Sequence, residues 1–233
     1  MPTRRSTGGT RTRLGGASVR FARPDPSART LPPPAAAQPR PGRYTLAVSS
    51  NGGPDQSASL LVSKVDPNIF REEFDDAGGI NRIDEQRWDP SAVLVTDSAA
   101  GRQDCHWSPA EIWLSRDLRV GATWHVRSDC TVTLSAGQPG TLTDNENAKV
   151  VSSGYVDVGG RSLFVWAVRR ITSMTESDAG RHVVATANER STDLFAPQLG
   201  LIVQTTAQTQ SPTSTGESST AYTIIRMLDT VPH

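Results

Sequence analysis

The chain lacks any apolar run long enough to cross a bilayer as a helix. Its longest, Leu163-Phe-Val-Trp-Ala-Val168, is far short of the ~20 residues a hydrocarbon core demands. No apolar segment follows Arg4 and Arg5 in the manner of a secretory signal. Catalytic motifs are missing too: there is no G-x-S-x-G elbow, no H-E-x-x-H, no phosphate-cradling G-x-x-x-x-G-K and no G-x-G-x-x-G. Histidine is scarce, with His106, His125, His182 and His233 alone available as partners for a nucleophile. Cysteine is limited to Cys105 and Cys130, and lysine to Lys64 and Lys149. These shortages argue against hydrolytic, nucleotide-dependent and zinc chemistry, and the expectation is a non-enzymatic protein with no catalytic residues, cofactor or metal.

What is present is unevenly placed. Residues 1–43 hold nine arginines and eight prolines against one acid, Asp25, so the remainder carries 15 bases against 23 acids. A segment so poor in apolar side chains cannot offset its own ordering entropy. We therefore divide the chain into a disordered Arg/Pro-rich tail and linker, 1–42, and one antiparallel β-domain, 43–230. Apart from Arg4-Arg5 the arginines stand singly, with Phe21 the only aromatic among them. That spacing suits weak attraction to an anionic surface better than specific nucleic-acid binding.

The body alternates with a period of two. In residues 123–134, Trp124, Val126, Cys130, Val132 and Leu134 share one parity, while Thr123, His125, Arg127, Asp129, Thr131 and Thr133 share the other. Such alternation makes a strand with one face in a core and one in water. Similar strands are read at 43–49, 57–65, 93–95, 141–158, 162–171, 182–195, from 200 and at 221–228, with 205–220 as a polar hairpin tip. Asp66-Pro67, with Phe70 and Phe74 four apart, suggests a short helix or crossover; Ser108-Pro-Ala-Glu111 suggests another, Pro109–Leu114. Residues 162–171 are apolar on both faces, which calls for burial on both. The expected fold is mainly β: a single curved antiparallel sheet, a half-barrel or open barrel, covering one or two short helices.

Several residue types could carry chemistry. Both cysteines fall on expected strands, and in an exported domain two cysteines most simply form one disulfide, Cys105–Cys130; two reduced core thiols are the cytosolic alternative. Zinc at Cys105-His106 and His125-x4-Cys130 fails on strand parity, since adjacent strand residues point to opposite faces. Glu72-Glu73 and Asp75-Asp76 read as a solvated acidic surface rather than an acid/base pair, and Asp144-Asn-Glu-Asn147 lacks the spacing of a calcium loop. If the sheet encloses a cleft, Trp124, Phe164 and Trp166 are the aromatics expected to line it.

Four stretches carry a family resemblance. They are Gly42-Arg-Tyr-Thr45, Asp117-Leu-Arg-Val-Gly-Ala-Thr-Trp124, Val156-Asp-Val-Gly-Gly-Arg-Ser-Leu-Phe-Val-Trp166 and Ser191-Thr-Asp-Leu-Phe-Ala-Pro-Gln-Leu-Gly-Leu-Ile-Val203. Together they resemble actinobacterial extracytoplasmic β-domains of unknown function, similar to lipoprotein-carrier (LolA-like) half-barrels. The resemblance implies a curved sheet around a helical element and a cell-envelope setting, extracytoplasmic or membrane-associated. The functional expectation is a domain binding an apolar or amphiphilic ligand, a lipid for instance, in its concave face, or else an envelope protein. The alternative is a structural or protein-interaction module with no ligand cavity.

Overall fold

The computed structural model describes residues 35–76, 79–100, 103–134, 137–212 and 218–233. The predicted tail lies outside them apart from its last few residues. Twelve strands follow one another in chain order: β1 (Gly42–Ser50), β2 (Gln56–Asp66), β3 (Ile69–Asp76), β4 (Gly79–Trp88), β5 (Ala92–Ala100), β6 (Gln103–Ser115), β7 (Thr123–Thr133), β8 (Pro139–Val158), β9 (Arg161–Asp178), β10 (Val183–Ala196), β11 (Leu201–Pro212) and β12 (Ser218–Met227). Each strand pairs antiparallel with the next, and β1 pairs with β12 through Leu46↔Met227 and Val48↔Ile225. The sheet is thus a closed barrel. Closure leaves no edge strand to present unpaired backbone groups.

The expected half-barrel over short helices is overturned, because the sheet closes on itself and no helix occurs among the described residues. The two helix readings failed for identifiable reasons. Phe70 and Phe74 are four apart, which is one face of a helix but equally one face of a strand, and they lie in β3. Pro109–Leu114 belongs to β6, where the capping-box residues sit at an irregularity of the ladder. There Val95 pairs with Glu111 and Asp97 with His106, so β6 sets residues 107–110 against Thr96 alone. The hairpin tip read at 205–220 is mostly strand: β11 continues to Pro212 and β12 begins at Ser218. His182, read as strand, lies in the turn before β10.

The doubly apolar strand is β9, and no helix covers it. A register shift at Val150/Ser152 of β8 flanks it on one side, and on the other the ladder of its neighbour β10 with β11 shifts at Leu194/Phe195. Bulges bend a sheet, and Leu163, Val165, Trp166, Ala167 and Val168 all join one cluster of buried apolar residues with Phe195 and Leu201. That cluster also takes in Tyr44, Leu46, Phe70, Trp88, Leu114 and Met227, so it fills the barrel end where β1 begins and β12 finishes.

The segment preceding β1 crosses this same end. Arg116 donates to the Ala36 carbonyl at 3.2 Å, Ala37 N donates to the Pro197 carbonyl at 2.7 Å, and Gln38 donates to Pro67 and Asn68. Its anchors are the β6–β7, β10–β11 and β2–β3 connections, spaced around the rim. Gly200 is needed where this strap lies: its φ is +69°, and a Cβ would come within 2.2 Å of the Ala37 carbonyl oxygen.

Outward positions are polar. On β7, Thr123, His125, Arg127, Thr131 and Thr133 are exposed, and on β8 Thr141, Asn145, Asn147 and Lys149 are exposed. A membrane-spanning barrel needs an apolar outer band with a polar interior. Here the buried apolar cluster lies within one end of the barrel, while Val65, Ile171 and Val183 are exposed.

Candidate functional site

Below the apolar end the inward parity changes character. β4 contributes Arg82, Asp84 and Gln86 before Trp88; β8 contributes Asp144 and Glu146 before Ala148 and Val150; β9 contributes Arg170 and Thr172 after Trp166 and Val168. The same faces that build the core one turn higher therefore carry charge lower down. Between them lies a cavity of about 420 Å³ lined by Arg82, Asp84, Glu111, Asp144, Glu146, Arg170, Glu189 and Asp193, with Trp107, Leu142 and Met174 among its apolar walls. A second space of about 290 Å³ adjoins it, lined chiefly by Leu46, Leu60, Phe74, Leu201, Val203, Ile225 and Met227, with Glu72 at its wall. Arg82, Asp84, Trp113, Ile202, Thr205 and Ile225 border both. The lumen is a charged chamber adjoining an apolar one.

Arg170 is the best-held charge. Its Nε donates to Asp193 Oδ2 at 2.6 Å, Nη1 to Glu146 Oε1 at 2.6 Å and Nη2 to the Trp113 carbonyl at 2.5 Å. Its guanidinium lies 5.9 Å from the Trp124 ring centre. Burial alone would lower its pKa, but Glu146 and Asp193 outweigh burial and hold it above the ordinary value. Thr205 completes the set by donating to Asp193 Oδ1 at 2.8 Å.

Arg82 is placed differently. Its Nε meets Asp84 Oδ2 at 2.7 Å, yet its side chain is 60% exposed because the space around it is lumen rather than packing. Asp84, and more weakly Glu111 and Glu189, raise its pKa. The carboxylates around it are short of positive charge. Burial pushes Glu72 up to about 8, with nearby Asp84 adding to the effect. Burial pushes Glu111 up to about 9, reinforced by the charge of Asp144 and a hydrogen bond with it. Asp144 and Glu146 are raised as well, chiefly by burial. At neutral pH Glu72 and Glu111 hold protons, because the opposing charge of Arg82 does not outweigh burial at either.

The wall between β6 and β7 decides this layout. Their described residues share a single ladder pair, Ser108↔Asp129. Pro109 has no N–H to offer, and the jog at 107–110 carries β6 out of register. The stranded carbonyls find side chains instead: Ile112 O accepts from Trp124 Nε1 at 3.0 Å, and Trp113 O accepts from Arg170. Cys105 and Cys130 are joined in a disulfide across the same junction, with Cα atoms 5.4 Å apart and both side chains buried. Val95, Trp107 and Val132 pack around it, and Trp107 Nε1 donates to Ser98 Oγ at 2.9 Å.

Among the aromatics picked from sequence, Trp124 is half-buried beside Arg170 and serves the β6 carbonyl. Phe164 and Trp166 stack edge-to-face at 5.2 Å in the apolar end, with Tyr155 beyond Phe164 at 5.7 Å. None of the three borders either chamber. Charged residues do border them. Glu72, expected on a solvated acidic surface, and Asp144 and Glu146, of the stretch that lacks calcium-loop spacing, all face inward. Arg82, Asp84, Glu111, Arg170 and Asp193 were not singled out. The available signal was parity: Arg170 continues the series Trp166, Val168, and Asp84 and Gln86 lead into Trp88. No group of three or more potential metal ligands occurs among the described residues.

No family model matches the chain, and no curated protein matches it. Among solved structures, it is similar to the hypothetical lipoprotein YmcC from Escherichia coli (K12), at 10% sequence identity over 83% of this chain and 87% of that chain, with a TM-score of 0.40. That degree of likeness carries no functional assignment.

Proposed function

We propose that this protein is a non-enzymatic, extracytoplasmic or membrane-associated β-barrel that holds an amphiphilic ligand in its lumen. The observation carrying the reading is the two-part cavity: a charged chamber of about 420 Å³ adjoining an apolar one of about 290 Å³, with shared walls. Ligand sites fall in this size range and combine apolar lining with a few placed polar groups. A polar head beside Arg82 and Asp84 and a chain against Leu60, Phe74 and Ile225 would use both. A cavity-free interaction module accords less well with that volume. The envelope setting is supported by the Cys105–Cys130 bond, since disulfides persist in oxidising compartments.

The test is the fluorescence of N-phenyl-1-naphthylamine, an uncharged apolar dye that brightens out of water. Saturable enhancement at one dye per protein is expected, and Leu60→Trp or Ile225→Trp should abolish it by filling the apolar chamber. No enhancement, or enhancement indifferent to both substitutions in folded protein, would reject the proposal.

A further inference from the structure

Charge in the lumen does not balance. Arg170 is committed to Glu146, Asp193 and the Trp113 carbonyl. That leaves Arg82 as the main positive charge facing Asp84, Glu111, Asp144 and Glu189. Asp84 borders both chambers and is 7% exposed; one oxygen is on Arg82, and Oδ1 has no hydrogen-bond partner. Ser128, fully buried on β7, stands opposite Asp144 in the ladder, on the same face, and its hydroxyl is likewise without a partner. Unmet acceptors in low dielectric are costly unless a donor arrives.

We infer that the lumen selects an amphiphile with a cationic, amine-type head, its ammonium seated among Asp84, Glu111 and Asp144 and its chain in the apolar chamber. This rests on the amphiphile reading above. An ammonium carries three donors and no acceptor, which suits a site rich in oxygens and short of N–H groups. An anionic head would have Arg82 alone to meet it against several carboxylates. The protons held by Glu111 and Glu72 are the placeholders such a head would displace, so binding is coupled to proton release and strengthens as pH rises. The charged groups facing the site are Glu72 from β3, Arg82 and Asp84 from β4, Glu111 from β6, Asp144 and Glu146 from β8, Arg170 from β9, and Glu189 and Asp193 from β10.

Three probes share a ten-carbon chain and differ in the head: decylammonium, decyl sulfate and decanol. Calorimetric titration of the whole protein with each, as monomers at pH 7 and again at pH 8.5, makes the comparison without altering the protein. Decylammonium is expected to bind at least tenfold tighter than the other two, and tighter at the higher pH. Asp84→Asn with Glu111→Gln should cost it about tenfold while leaving decanol unchanged. Equal affinity for all three, or preference for decyl sulfate, would overturn the cationic head and leave the amphiphile reading standing. Binding of none would overturn both.

Discussion

The junctions on either side of the β7–β8 pair are built on different principles. β8 and β9 run together in unbroken antiparallel pairing from Gly140↔Asp178 to Val158↔Arg161, interrupted only by the bulge at Val150/Ser152. β6 and β7 meet at Ser108↔Asp129 and are otherwise held by side chains: a disulfide, an indole N–H and a guanidinium reaching across from β9. A backbone ladder satisfies its own donors and acceptors and asks nothing of the lumen. A broken one exports the demand. Arg170 answers for the Trp113 carbonyl, and a buried guanidinium in turn requires Glu146 and Asp193. The charged chamber is in this sense a consequence of the β6 jog.

Perturbing the side-chain-held junction should therefore cost far more than perturbing the ladder. Arg170→Met is the severest case, since it leaves two inward carboxylates and a carbonyl unmet; urea unfolding should show a loss of about 3–5 kcal/mol. Replacing Cys105 and Cys130 together by alanine opens a loop of 25-residue separation, and the same assay should show a loss of about 3 kcal/mol. Trp124→Phe keeps the ring but strands the Ile112 carbonyl, for about 1–2 kcal/mol. On the ladder side, Lys149→Ala on the outer face of β8 should fall within about 0.5 kcal/mol. Equal losses at Arg170 and Lys149 would dissolve the contrast.

Titration sharpens it further. A glutamate whose folded pKa is raised binds its proton more tightly folded than unfolded. Its contribution to stability is complete below the unfolded value near 4.5 and is lost as pH climbs through the folded one. For Glu72 and Glu111 that window runs from about 4.5 to about 8 and about 9. Unfolding midpoints should fall across this range, and Glu111→Gln, which cannot ionise, should flatten the decline. A profile that rises with pH would contradict the placement of these groups.

Much of the β-architecture was legible in the sequence. Strict alternation in β7 and the glycine turn at Gly159-Gly160 marked strands and a hairpin correctly, and the two cysteines lie on strands and form the expected disulfide. Closure was not legible, because pairing of β1 with β12 joins residues some 180 positions apart and leaves no local pattern. Phe70 and Phe74 misled because a spacing of four satisfies both periods. The charged lumen was missed for a related reason. A charged residue within a strand ordinarily marks the outer face, whereas Asp84, Glu146 and Arg170 hold the inward parity. In a hollow barrel, inward does not mean apolar.

Side-chain carboxyl carbons followed by NMR through a pH titration report directly on whether this lumen is closed and short of cations. Glu72 and Glu111 are expected to titrate near 8 and near 9, well separated from the outward-facing acids. Midpoints for both in the ordinary range near 4.5 would mean that water and counter-ions reach them freely, and the closed, carboxylate-rich lumen would be refuted.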